Sequence, residues 1–155
     1  MYPYRQKGCI AKMKLSRFFQ LEEFIKSDTA ESLGIDNTPA KEAIVNITRL
    51  HDNCMEKIRR CVQSPVYISS GYRCKKLNTE VGGSSTSQHL KGMACDFTVK
   101  GQSCEAMFNW CRKNLVFDQL ILEEADGVKW VHISYNKDNN RRQCMKYKDG
   151  VYINV

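Results

Sequence analysis

Between Ala43 and Cys61 the apolar residues Ala43, Ile44, Ile47, Leu50, Cys54, Ile58 and Cys61 recur three and four positions apart. That period places them on one face of an amphipathic helix of about six turns. Thr38 followed by Pro39 marks its predicted start, with a capping hydroxyl and then a ring whose missing N–H costs nothing at the first helical position. A second helix is predicted to begin at the cap Ser103 and to bury Met107, Trp110, Cys111 and Leu115. Strand-like runs follow or intervene at Val66 to Ser70, Ala94 to Val99, Gln119 to Glu123 and Lys129 to Ser134, with a final pair around Met145 and Tyr152. Helices lead and strands dominate the second half, which predicts an α+β domain with a central, mostly antiparallel sheet and flanking helices. No repeat or long linker divides residues 1–155, so one continuous domain is expected, preceded by a basic segment over residues 1–15.

Composition changes this picture little. With 155 residues, 42% hydrophobic and 26% charged, the chain can bury a substantial core. The first fifteen residues lack the apolar run of a signal peptide, and no stretch has membrane-spanning length, so synthesis in the cytoplasm without ordinary export is expected. Eight cysteines raise the idea of a disulfide framework. Yet Cys54 and Cys61, like Cys104 and Cys111, lie two helical turns apart, beyond disulfide reach, and read as reduced, buried small hydrophobes. No C-x-x-C pair offers a thiolate zinc site. The net charge of +7 suits an anionic partner, either nucleic acid or cell wall. No nucleic-acid motif accompanies the charge, and the basic stretch from Lys137 to Lys148 reads as a solvated face, so no nucleic-acid partner is expected.

The three histidines separate by setting. His51 falls inside the long helical pattern with no second ligand type at helical spacing, and reads as structural or solvent-facing. His89 follows a glycine- and serine-rich loop that leads into a strand carrying Asp96. His132 lies between the core-type residues Val131 and Ile133, so its ring points away from the core. Two neutral imidazoles and one carboxylate are a common set of three protein ligands for catalytic zinc, with a fourth position open.

The segment SQHLKGMACD matches the S-x-H-x-x-G-x-A-x-D motif of the zinc D-Ala-D-Ala carboxypeptidases, the M15 peptidases, through Ser87, His89, Gly92, Ala94 and Asp96. ISSGYRCKKLN resembles the S-G-Y-R block of that family, and GIDNTP, FDQLILE and WVHISY resemble three further blocks, so the likeness spans roughly residues 16 to 135. The resemblance, which takes in phage endolysins, implies a fold of the Hedgehog and DD-peptidase type. It also implies zinc held by His89, Asp96 and His132, and a substrate or transition-state contact from Arg73. Ser87 and Trp130 are the further substrate-contact candidates, and Tyr72 reads as core or pocket wall. The implied substrate is a peptidoglycan stem peptide, reached at the bacterial cell wall after lysis or on a virion; the sequence leaves the oligomeric state open, with a monomer favoured. One departure stands out: where many relatives carry an acid three positions before the last histidine, this chain has Lys129. A binding or virion structural module that has lost turnover is therefore the alternative reading.

A general base would then have to come from elsewhere, and strand register points to Glu123, for which the alternative role is to orient a histidine ligand. With Asp126 and Gly127 as the centre of a type I′ turn, Ala125 pairs with Val128, Glu123 with Trp130 and Ile121 with His132. Leu120, Leu122, Val131 and Ile133 form the core side, whereas Gln119, Ile121, Glu123, Trp130, His132 and Ser134 share the other face. Glu123 becomes a diagonal neighbour of His132, at a backbone separation of roughly 7 Å. Lys129 pairs with Glu124 on the opposite face, and Asp126 is a weaker base candidate because the turn already accounts for it.

Overall fold

A computed structural model describes residues 12–155. Cys9 and most of the basic N-terminal segment lie outside the described residues. The helices are α1 (Leu21–Ile25), α2 (Asp28–Ser32), α3 (Lys41–Leu50), α4 (Glu56–Val62), α5 (Lys75–Glu80) and α6 (Cys104–Asn114). A π-helical turn, His51–Met55, joins α3 to α4, and a 3-10 turn, Gln88–Lys91, precedes the second strand. Six strands, β1 (Val66–Ser70), β2 (Ala94–Val99), β3 (Gln119–Ala125), β4 (Val128–Ser134), β5 (Gln143–Lys148) and β6 (Val151–Asn154), form one sheet in the order β1-β2-β4-β3-β5-β6. Every pairing is antiparallel except β3 with β5, so the α+β architecture is the one expected.

The long helix differs from its prediction at three points. Asp36 Oδ1 accepts both the Thr38 hydroxyl, at 2.6 Å, and the Thr38 backbone N–H, so Thr38 closes a local turn instead of capping. The helix begins at Lys41, with the Ala40 carbonyl accepting the Ile44 N–H. The π turn then adds a residue to the period and brings Met55 into the buried face beside Leu50, Cys54 and Ile58. Cys61, near the helix end, is exposed, and Cys104 is only half-buried; Cys54 and Cys111 are fully buried as expected. The seven described cysteines are all free. His51 is buried against Phe19 and Phe24, with Nδ1 2.7 Å from Asp52 and Nε2 facing Glu56 at 3.3 Å, a structural setting.

One face of the sheet supplies Cys95, Phe97, Leu120, Leu122, Val131 and Ile133 to a core completed by Ile47, Leu50 and Ile58 from the long helix and by Met107 and Phe108 from α6. Period-2 alternation forces the residues between them onto the other face. The β3–β4 register is the predicted one, from Ala125 opposite Val128 to Ile121 opposite His132, and Asp126 and Gly127 both have the positive φ of a type I′ turn. Among the described residues, no helix is long and apolar enough to cross a membrane.

Candidate metal centre

Asp96 on β2 lies directly opposite His132 on β4, so both side chains leave the sheet on the face away from the core. The 3-10 turn brings His89 over them, started by the Ser87 hydroxyl accepting the His89 backbone N–H and ended by Gly92 in a left-handed conformation. The result is a buried trio. Asp96 Oδ1 lies 3.0 Å from His132 Nδ1 and 3.5 Å from His89 Nε2, and the two imidazole rings meet edge-on. One donor atom from each residue falls within 4.8 Å of the others.

The backbone holds His89 in one orientation. Its Nδ1 lies 2.7 Å from the Gly71 carbonyl, so Nδ1–H donates there and the Nε2 lone pair faces Asp96. Gly71 itself has no room for a side chain, because a Cβ would overlap the Phe24 carbonyl, and the neighbouring Tyr72 N–H donates to that same oxygen at 2.6 Å. Burial pushes the His89 pKa down against the opposing pull of Asp96, which favours the neutral ring that a metal ligand needs. Burial alone would raise Asp96, but the two histidines beside it prevail and hold it well below the usual carboxylate range.

These donors fit a zinc-sized ion. Bonds of about 2.0–2.2 Å at tetrahedral angles set donor atoms about 3.3–3.6 Å apart, close to the 3.0 and 3.5 Å separations of the trio. Two imidazoles with one carboxylate are also a common set of ligands for such a site.

Two more side chains border the trio. Arg73 extends one guanidinium nitrogen to 3.6 Å from Asp96 Oδ2, while its Nε donates to Ser70 Oγ and its other terminal nitrogen to Asn78 Oδ1. Asn78 is tied in turn to the Ser84 carbonyl. Ser70 and Arg73 also line a cleft of about 670 Å³ with Lys26, Tyr67, Tyr72 and Val81, so the cleft meets the trio at Arg73. Glu123 Oε1 lies 3.9 Å from His132 Nδ1. Burial, followed by the charge of Asp96, pushes the Glu123 pKa up to about 6. Trp130, its cross-strand partner, counts among the groups that lower that pKa, yet its Nε1 is buried without a properly aligned acceptor.

The structure therefore brings together His89, Asp96, His132, Arg73, Glu123 and Trp130, with Ser87 bonded to the His89 main chain. Lys129 lies on the other face, where its ammonium pairs with Glu105 of α6 more closely than with the expected Glu124, which is 3.9 Å away. Sequence reasoning missed a second layer. Asp118 is 1% exposed, accepts both Arg141 Nε and a terminal nitrogen, and also takes Gln88 Nε2 at 2.8 Å, which anchors the residue before His89. No spacing rule connects positions so far apart. The Gly71 contact was closer to hand, since it lies in the S-G-Y-R block.

Compared with curated proteins, the chain matches none. A family model does match, that of Peptidase M15, over residues 17–134, nearly the span of the resemblance read from the motifs. That segment contains the whole trio together with Arg73 and Glu123, and it covers well over half of the chain. The protein belongs to the peptidase M15 family.

Proposed function

We propose that the protein is a zinc-dependent hydrolase that cuts peptide bonds in peptidoglycan stem peptides, as a D-Ala-D-Ala carboxypeptidase or endopeptidase. The observation that carries this reading is the convergence of His89, Asp96 and His132 with a carboxylate and a guanidinium on either side. Zinc, when bound, would supply Lewis-acid polarisation of the scissile carbonyl and acidify water near neutral pH. His89 and His132 would hold it as neutral rings and Asp96 as a carboxylate. Glu123 accepts a proton from the attacking water and returns it to the leaving amine, a role suited to a carboxylate whose pKa has been raised to about 6. Arg73 grips the substrate carboxylate or the developing oxyanion from the end of the cleft. Ser87 and Trp130 complete the substrate contacts.

Glu123 also bears on the alternative of a binding module without turnover. That alternative drew on Lys129 replacing an acid, but an acid beside the trio is supplied from β3. A phage or prophage lysin fits best, made in the cytoplasm and delivered to the wall by lysis or on a virion, where a charge of +7 favours the anionic surface. Digestion of purified muropeptides with and without a zinc chelator, read by mass spectrometry, tests the proposal. Loss of terminal D-alanine or of a cross-link, abolished by chelator, is expected. Intact stem peptides after prolonged incubation with zinc-loaded protein would refute it.

A further inference from the structure

The strands β5 and β6 lie beyond residue 134, where the family match ends, and they widen the face that carries the trio. Register shows how. Glu123 of β3 has Trp130 as its partner on β4 and Tyr147 as its partner on β5, and Tyr147 pairs with Tyr152 on β6. One row of side chains thus runs Trp130, Glu123, Tyr147, Tyr152 across four strands, next to the row that holds Asp96 and His132. Neighbouring strands are about 4.8 Å apart, so this floor extends about 14 Å from Trp130.

The two tyrosine rings sit 4.6 Å apart, tilted by 44°, and Tyr152 is 57% exposed. Register places Tyr152 on the same face of the sheet as Glu123, through Tyr147. The floor has an open aromatic face at its outer end, where Tyr147 and Tyr152 stand, and is closed at the other by the indole of Trp130 beside Glu123. Its middle strands have both edges occupied by ladder hydrogen bonds, so β3 and β5 have no main-chain groups left for an extended peptide. No Lys or Arg stands in the row to select an anion. What such a floor binds is a ligand with a flat apolar face and peripheral oxygens, and a pyranose ring has both.

We propose that Tyr147 and Tyr152 form a saccharide-stacking subsite that holds the glycan to which the stem peptide is attached. This rests on the peptidoglycan reading above and adds recognition of the sugar to that of the peptide. The subsite makes the protein prefer stem peptides still joined to their disaccharide over the free peptide.

The test compares Tyr152→Ala, Tyr152→Phe and Ile153→Ala on a muropeptide with its disaccharide and on the same peptide without sugar. Ile153 is an exposed control on the opposite face of β6. Tyr152→Ala should raise KM for the disaccharide substrate by about ten-fold, leave KM for the free peptide and kcat for both unchanged, and be rescued by Tyr152→Phe. An equal change on both substrates, or none on either, overturns the subsite. Wild-type protein that cleaves neither substrate refutes the peptidase reading instead. The subsite is then decided without turnover, by titrating a soluble β-1,4-linked N-acetylglucosamine oligomer and following tryptophan fluorescence. Saturable change in wild type, weakened in Tyr152→Ala, supports it; no change in wild type overturns it.

Discussion

Replacing Glu123 with Gln tests the environment of this carboxyl and its chemistry with one nearly isosteric change. Glu123 is only 16% exposed and lies beside Asp96 and His132, and its pKa rises from 4.5 to about 6. That rise corresponds to about 2 kcal/mol of ionisation cost in the folded, metal-free chain. The sign follows from proton binding. The folded state holds this proton more tightly than the unfolded state, so the protonated carboxyl contributes its stability in full below the unfolded value. The contribution is lost as pH rises through about 6. Gln cannot ionise, so Glu123→Gln should match wild type at about pH 4 and exceed it by up to about 2 kcal/mol at about pH 8. Urea unfolding of chelator-treated protein across that range measures the difference. In the zinc-loaded enzyme the same variant should keep its metal and lose about 10²- to 10⁴-fold in turnover, as expected for removal of a general base. A stability gap that does not change with pH would refute the account of burial. Near-normal turnover would refute the role as base, leaving Glu123 to orient His132.

Two other perturbations address the metal centre. His89→Ala and His132→Ala should each lose zinc by metal analysis, while protein with alkylated cysteines keeps it; undiminished zinc in both variants would show that the ligands are misassigned. Gly71→Ala should cost about 1–3 kcal/mol, because the new methyl overlaps the Phe24 carbonyl, and should weaken zinc binding by moving the carbonyl that orients His89. Unchanged stability and affinity, by urea unfolding and competition with a chelating dye, would contradict that close approach.

The sheet was legible in the sequence because its signals agree. Period-2 alternation from Gln119 to Ser134, with Asp126 and Gly127 at the turn, permits one register, and that register places Glu123 and His132 on the same face. The trio needed more. Residue types alone allowed His89, Asp96 and His132 to be imagined together, whereas the motif block singled them out and the pairing of Asp96 with His132 brings them into contact. Helices α1 and α2, of five residues each, are too short to show a period and passed unread. Thr38 misled because a hydroxyl near a proline fits a helix cap and an aspartate turn equally well, and Asp36, two residues upstream, decided between them. The π turn changed which residues were buried without leaving a mark in the sequence.

The clamp between Asp118 and Arg141 sets the smallest piece of this chain that can be expected to stand alone. A fragment cut at residue 134 would contain every residue of the metal centre and the entire family match. It would also strand the Asp118 carboxylate, 1% exposed, without its guanidinium partner; because Arg141 is itself half exposed, the loss is that of a charge-assisted hydrogen bond, about 1.5–3 kcal/mol. The same cut would strip β5 from β3, exposing the main-chain edge of a strand that carries Leu120 and Leu122. Any transplant of this domain into another chain therefore has to carry residues 135–148 with it, although none of them belongs to the His89, Asp96 and His132 trio.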